Sequence, residues 1–98
     1  MTLDDFKQTL TADTPPRLSR ALEALWHDAR GDWDAAHRVA QDINARDGAW
    51  VHAYLHRKEG DLSNARYWYD RAAKEVDTRP LDAERDQIIE SLLNDWER

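Results

Sequence analysis

Gly48 to Val76, GAWVHAYLHRKEGDLSNARYWYDRAAKEV, is the stretch on which the fold turns. Trp50, Val51, Tyr54 and Leu55 are the large apolar residues of one helix. Leu62, Ala65, Tyr69, Ala72 and Val76 repeat the helical spacing after a break at Gly60-Asp61. Glycine is free to take the left-handed conformation that closes a helix, and aspartate caps the next one. The stretch therefore reads as two helices back to back. A fainter copy lies upstream, where Gly31-Asp32-Trp33 opens GDWDAAHRVAQDI. The two Gly-Asp hinges are 29 residues apart, and superposing them pairs His27 with His56, Trp33 with Leu62, Ala36 with Ala65 and Ala40 with Tyr69. Matching at helical spacing is the mark of stacked hairpins, each burying its face on the next.

Outward from this centre the punctuation continues. Thr2 caps a first helix, with Asp5 in the capping-box position and Leu3, Phe6 and Leu10 on one stripe. That helix stops before Thr14-Pro15-Pro16, since a residue preceding proline avoids helical geometry. A second helix is expected from Pro16 to Arg30, burying Leu18, Ala21, Leu22, Leu25, Trp26 and Ala29. Asp32 caps a third, which turns Trp33, Ala36, Ala40 and Ile43 inward and ends near Asp47-Gly48, where Asp47 caps the fourth. Asp77-Thr78-Arg79-Pro80 breaks the chain again. A last helix, roughly Leu81 to Glu97, turns Ile88, Ile89, Leu92, Leu93 and Trp96 toward the core.

Composition narrows the class. Ninety-eight residues make one domain, and five Trp, three Tyr and one Phe supply a small core with large buried areas. A formal net charge of −6 with interleaved signs argues against general nucleic-acid binding, which leans on a basic stripe. The absence of Cys removes disulfides and thiolate zinc sites. The acidic start MTLDDFKQTL is no secretory signal, and no apolar run reaches the length of a membrane span. A cytoplasmic protein with no membrane or nucleic-acid partner is expected.

Gly60-Asp61-Leu62-Ser63-Asn64-Ala65 and the following Arg66-Tyr67-Trp68-Tyr69-Asp70-Arg71-Ala72-Ala73 resemble the second helix of a tetratricopeptide or Sel1-like repeat. The small, aromatic and small positions of that family fall on Ala65, Tyr69 and Ala72, and the doubled Ala72-Ala73 leans toward the Sel1-like branch. The resemblance implies an all-α fold, a short right-handed stack of antiparallel helical hairpins with about six helices. Residues 16–46 form a degenerate repeat and 47–76 a clearer one. The spacing is shorter than the family's usual period of about 34 residues, and two repeats are visible. Residues 1–14 and 80–98 are therefore expected as capping helices.

The resemblance also implies a function, that of a protein–protein interaction or scaffold module. First helices line the groove of such repeats, which places Trp50, Tyr54, Arg57 and Lys58 toward a partner's peptide segment or a second subunit. Aromatics beside two cations suit an acidic group or a free carboxylate. The alternative is that Trp50 is core and that Arg57 and Lys58 are an ordinary basic helix end. Tyr67, Trp68 and Tyr69 are consecutive on a helix, so at least one ring lies near the surface, which makes Tyr67 and Trp68 a second candidate interface.

His52 and His56 stand at i and i+4, a spacing that can present two imidazoles to one metal ion. The glutamate of the zinc-protease motif is missing between them, and a third ligand has to come from His27, His37 or a carboxylate. A structural role for both is the expectation, without cofactor, metal or catalytic residues; a His-centred metal protein or enzyme is the alternative. A purely structural homo-oligomer is a further one.

Overall fold

Both Gly-Asp hinges adopt one geometry. Gly31 and Gly60 take φ of 83° and 90°, the left-handed region that disfavours a Cβ. After each, the aspartate carboxylate accepts the backbone N–H three residues on, Asp32 from Ala35 at 3.0 Å and Asp61 from Asn64 at 3.3 Å. The aspartate N–H donates back to a histidine carbonyl, Asp32 to His27 and Asp61 to His56, each at 3.0 Å. One sequence device thus closes one helix and opens the next, twice.

The computed structural model describes residues 1–96. Among them lie six α-helices and no strand: α1 (Leu3–Gln8), α2 (Arg20–Ala29), α3 (Trp33–Gln41), α4 (Arg46–Glu59), α5 (Leu62–Ala72) and α6 (Leu81–Trp96). A single 3₁₀ turn, Thr9–Thr11, extends α1. No helix among the described residues is long and apolar enough to cross a membrane. The radius of gyration is 12.3 Å, near the ~12–13 Å of a globular chain this long, so the helices fold back on one another.

The centre is α4. Every residue from Gly48 to His56 is buried, because α2, α3, α5 and α6 all pack against it. A helix with neighbours all round needs no polar face, which explains the weak amphipathicity of its sequence. The pairs α2–α3 and α4–α5 make the most extensive contacts, and α3 joins them by packing on α4. α6 lies across α2 and α4 and also meets α1.

Several boundaries differ from the sequence reading. α2 starts at Arg20 rather than Pro16, because the Ser19 side chain accepts from Leu22 N–H at 3.3 Å and sets the cap there. α3 ends at Gln41, and α4 begins at Arg46 with Ala45 at its cap. Asp47 and Gly48 thus lie inside the first turn of α4. Gly48 marks a close approach and not a break: a Cβ there would stand 2.5 Å from Ile43 Cβ and 2.7 Å from the Ile43 carbonyl oxygen. α5 stops at Ala72, where Ala73 takes a left-handed φ of 58°, so Val76 lies beyond the helix and is exposed. Leu62 and Trp96, expected in the core, are exposed as well. The expected end of the last helix at Glu97 lies outside the described residues.

Candidate functional site

The four residues assigned to a partner groove are engaged within the chain. Tyr54 is 1% exposed, and its hydroxyl donates to the buried Asp28 carboxylate at 3.0 Å. Lys58 donates to the other oxygen of Asp28 at 2.9 Å. Arg57 donates to the buried Glu84 of α6 at 2.9 Å and to the Arg79 carbonyl. Tyr69 donates to the second Glu84 oxygen at 2.5 Å. Trp50 is 7% exposed, with the Lys74 ammonium 4.2 Å from its ring centroid. Trp50 and Tyr54 are thus buried within the chain and not open on a groove. The carboxylates that Tyr54, Arg57 and Lys58 meet belong to the chain itself. Asp28 and Glu84 supply them.

A second polar cluster sits between α3, α4 and α5. His52 and His56, one turn apart on α4, stack at 4.8 Å between ring centroids. His37, on α3, stands edge-on to both, at 4.6 Å from His52 and 5.2 Å from His56. Its Nε2 lies 2.9 Å from Nε2 of His52. One nitrogen from each of the three imidazoles lies within 4.8 Å of the other two. Of the two candidates for a third histidine, the fold delivers His37. His27 stays apart, edge-on to Trp26.

Aromatic walls fix the rings. Trp33 stacks on His37 at 4.9 Å and is itself held by an indole N–H donated to the Leu55 carbonyl at 2.8 Å. Trp68 stacks on His52 at 4.0 Å, so this half-buried ring from the aromatic triplet belongs to the histidine cluster. Tyr67 is 55% exposed and points away from the core. On the far side, Glu59 lies 2.6 Å from His56 Nδ1. A carboxylate only accepts, so it calls for a proton on Nδ1. The Asn64 amide nitrogen lies 3.4 Å from Nε2 of the same ring.

The surroundings disfavour a charge on two of the three rings, His52 and His37. Burial, then the neighbouring His37 and His56, push the His52 pKa down to about 4. Burial and His56 lower that of His37 in the same way. At neutral pH both rings are neutral, the state in which imidazole binds a metal ion. A second group, His56 with the exposed Glu59 and Asp61, shares one of these histidines, and its two carboxylates face solvent.

The sequence reading assigns Trp33 to the core and Asn64 to the repeat motif, and gives neither of them, nor Glu59, a place in a site. The available signal was position: Trp33 and His37 are four apart on α3, and His56 and Glu59 three apart on α4, spacings that bring side chains together. No protein-family model matches the chain, and no curated protein or solved structure matches it either.

Proposed function

We propose that this chain is a metal-binding helical domain in which His37, His52 and His56 hold one divalent transition-metal ion, zinc being the first candidate. The observation that carries this reading is the convergence of three imidazoles, from two helices, within 4.8 Å of one another. An all-imidazole set without thiolate suits zinc and its neighbours and disfavours magnesium or calcium, which take oxygen ligands. Glu59 on His56 supplies the carboxylate–histidine pairing that orients a ligating ring. Ions held by three histidines keep a fourth position for water or substrate, where a Lewis acid can act. The test is calorimetric titration of metal-free protein with zinc. One-to-one binding is expected, lost in His37→Ala and His52→Ala while circular dichroism keeps its helical signal. Undiminished zinc binding in both variants overturns the reading.

A second reading rests on the duplicated hinge. The identical closure at Gly31 and Gly60 supports a hairpin stack of tetratricopeptide or Sel1-like kind, right-handed, with α1 and α6 as its caps. In such a module the exposed surface of α5, where Leu62 and Tyr67 are both more than half exposed, receives a protein partner or a second copy of the chain. Light scattering on the intact protein addresses self-association. A dimer mass that falls to the monomer in a Leu62→Ser, Tyr67→Ser double variant supports it, and a monomer at high concentration excludes it.

A further inference from the structure

A cavity of about 460 Å³ opens where the end of α3, the start of α4 and the middle of α5 meet. Its polar walls are Gln41, Asn44, Arg46, His52, Trp68 and Arg71, with alanines and Ile43 between them. None of the lining residues is acidic, in a chain that carries 20 Asp and Glu against 14 Lys and Arg. Several cations elsewhere are answered, Arg57 by Glu84, Lys58 by Asp28, Lys7 by Asp86 and Arg79 by Asp77. Those of the cavity are not. Arg46 makes no ion pair or hydrogen bond among the described residues. Arg71 donates to the Tyr67 hydroxyl at 3.1 Å, and its guanidinium lies 5.4 Å from the Trp68 ring centroid; it makes no ion pair among the described residues. Stacking holds that cation at the wall without neutralising it.

We propose that this cavity binds a small anionic molecule, its carboxylate or phosphate oxygens held by Arg46 and Arg71 and its body lying beside Trp68. Guanidinium groups present paired N–H donors that match both kinds of oxyanion. The volume falls in the range of pockets that enclose small ligands, about 300–1,000 Å³. The amides of Gln41 and Asn44 can donate or accept, which gives the site a means of choosing among anions. His52 is a wall of this cavity and a member of the histidine cluster, so the anion would lie next to the metal site. The proposal does not depend on the metal reading, because neither arginine belongs to that cluster.

The test uses the whole chain, dialysed against a chelator, so that its outcome is separate from that of metal binding. Inorganic phosphate and citrate are titrated in turn while NMR follows the Arg46 and Arg71 side-chain N–H signals and the Trp68 indole. Saturable shifts are expected for at least one probe, weakened about tenfold or more by Arg46→Gln, since a charge-assisted bond contributes at least that factor. Response to phosphate alone marks a phosphate site, to citrate alone a carboxylate site, and to both a general oxyanion site. Arg46 has no partner in the fold, so its replacement leaves the helices intact, and Arg71→Gln with an unchanged melting curve serves as the second variant. Absence of saturable shifts with either probe, or shifts that persist unchanged in both variants, overturns the proposal.

Discussion

The Nε2 atoms of His37 and His52 lie 2.9 Å apart although the residues are 15 positions apart in sequence. They reach this distance because α3 packs on α4, and each ring is stacked on an indole, His37 on Trp33 and His52 on Trp68. Two neutral imidazoles at this separation share one hydrogen bond. A metal ion would replace that bond with two stronger ones, opening the nitrogens only slightly.

Zinc should therefore stabilise the native state. A ligand that binds only the folded chain adds about 2.7 kcal/mol when present at 100 times its dissociation constant. The melting temperature of the metal-free protein is expected to rise on adding zinc, to stay flat in His37→Ala, and to rise again in His27→Ala. A rise in His37→Ala equal to that of the parent protein would place the ion elsewhere.

Gly48→Ala tests the close approach at the start of α4. With Ile43 Cβ at 2.5 Å from the new methyl, the loop before α4 has to move, at a cost of ~1–3 kcal/mol. Gly31→Ala meets nothing within 4 Å and suffers only from its left-handed φ, about 1–2 kcal/mol. Urea unfolding of the two variants measures both effects. Gly48→Ala with stability unchanged would show that Ile43 yields freely.

Tyr54→Ala should unfold the domain rather than weaken an interface. It empties a fully buried aromatic site and leaves Asp28 with Lys58 as its remaining side-chain donor, a loss of ~3–5 kcal/mol. Tyr54→Phe keeps the volume and loses the hydrogen bond, at about 1–3 kcal/mol. Equal chemical denaturation midpoints for Tyr54→Ala and the parent chain would return this residue to the surface.

Glu84 gives the stability a pH dependence. Burial raises its pKa above the ordinary 4.5, and the hydrogen bonds from Tyr69 and Arg57 recover only part of that cost. Between 4.5 and the raised native value the folded chain holds a proton that the unfolded chain has released. Stability contributed by this group is thus complete below the unfolded pKa and declines as pH rises through the native one. Glu84→Gln removes the slope while keeping the shape. Unfolding free energies measured between about pH 4 and 8 should show the parent chain losing stability relative to Glu84→Gln as pH increases. Parallel profiles would contradict the assignment.

Local chemistry in the sequence determined the helices and their turns. Apolar spacing, Gly31 and Gly60 with their aspartate caps, and Thr2 with Asp5 specify their structure within a few residues, so they are legible without any partner element. The i,i+4 spacing of His52 and His56 is legible for the same reason. Tertiary structure decided what faces what. Whether Trp50 and Tyr54 lie in a groove or in a core depends on which helices pack around α4, and no spacing within α4 encodes that. The choice of His37 over His27 as the third imidazole, the pairing of Arg57 with Glu84, and the unanswered charges of Arg46 and Arg71 are likewise relations between helices. They arise because burying α4 on every side brings distant segments to it, a consequence of packing that periodicity along one chain segment does not contain.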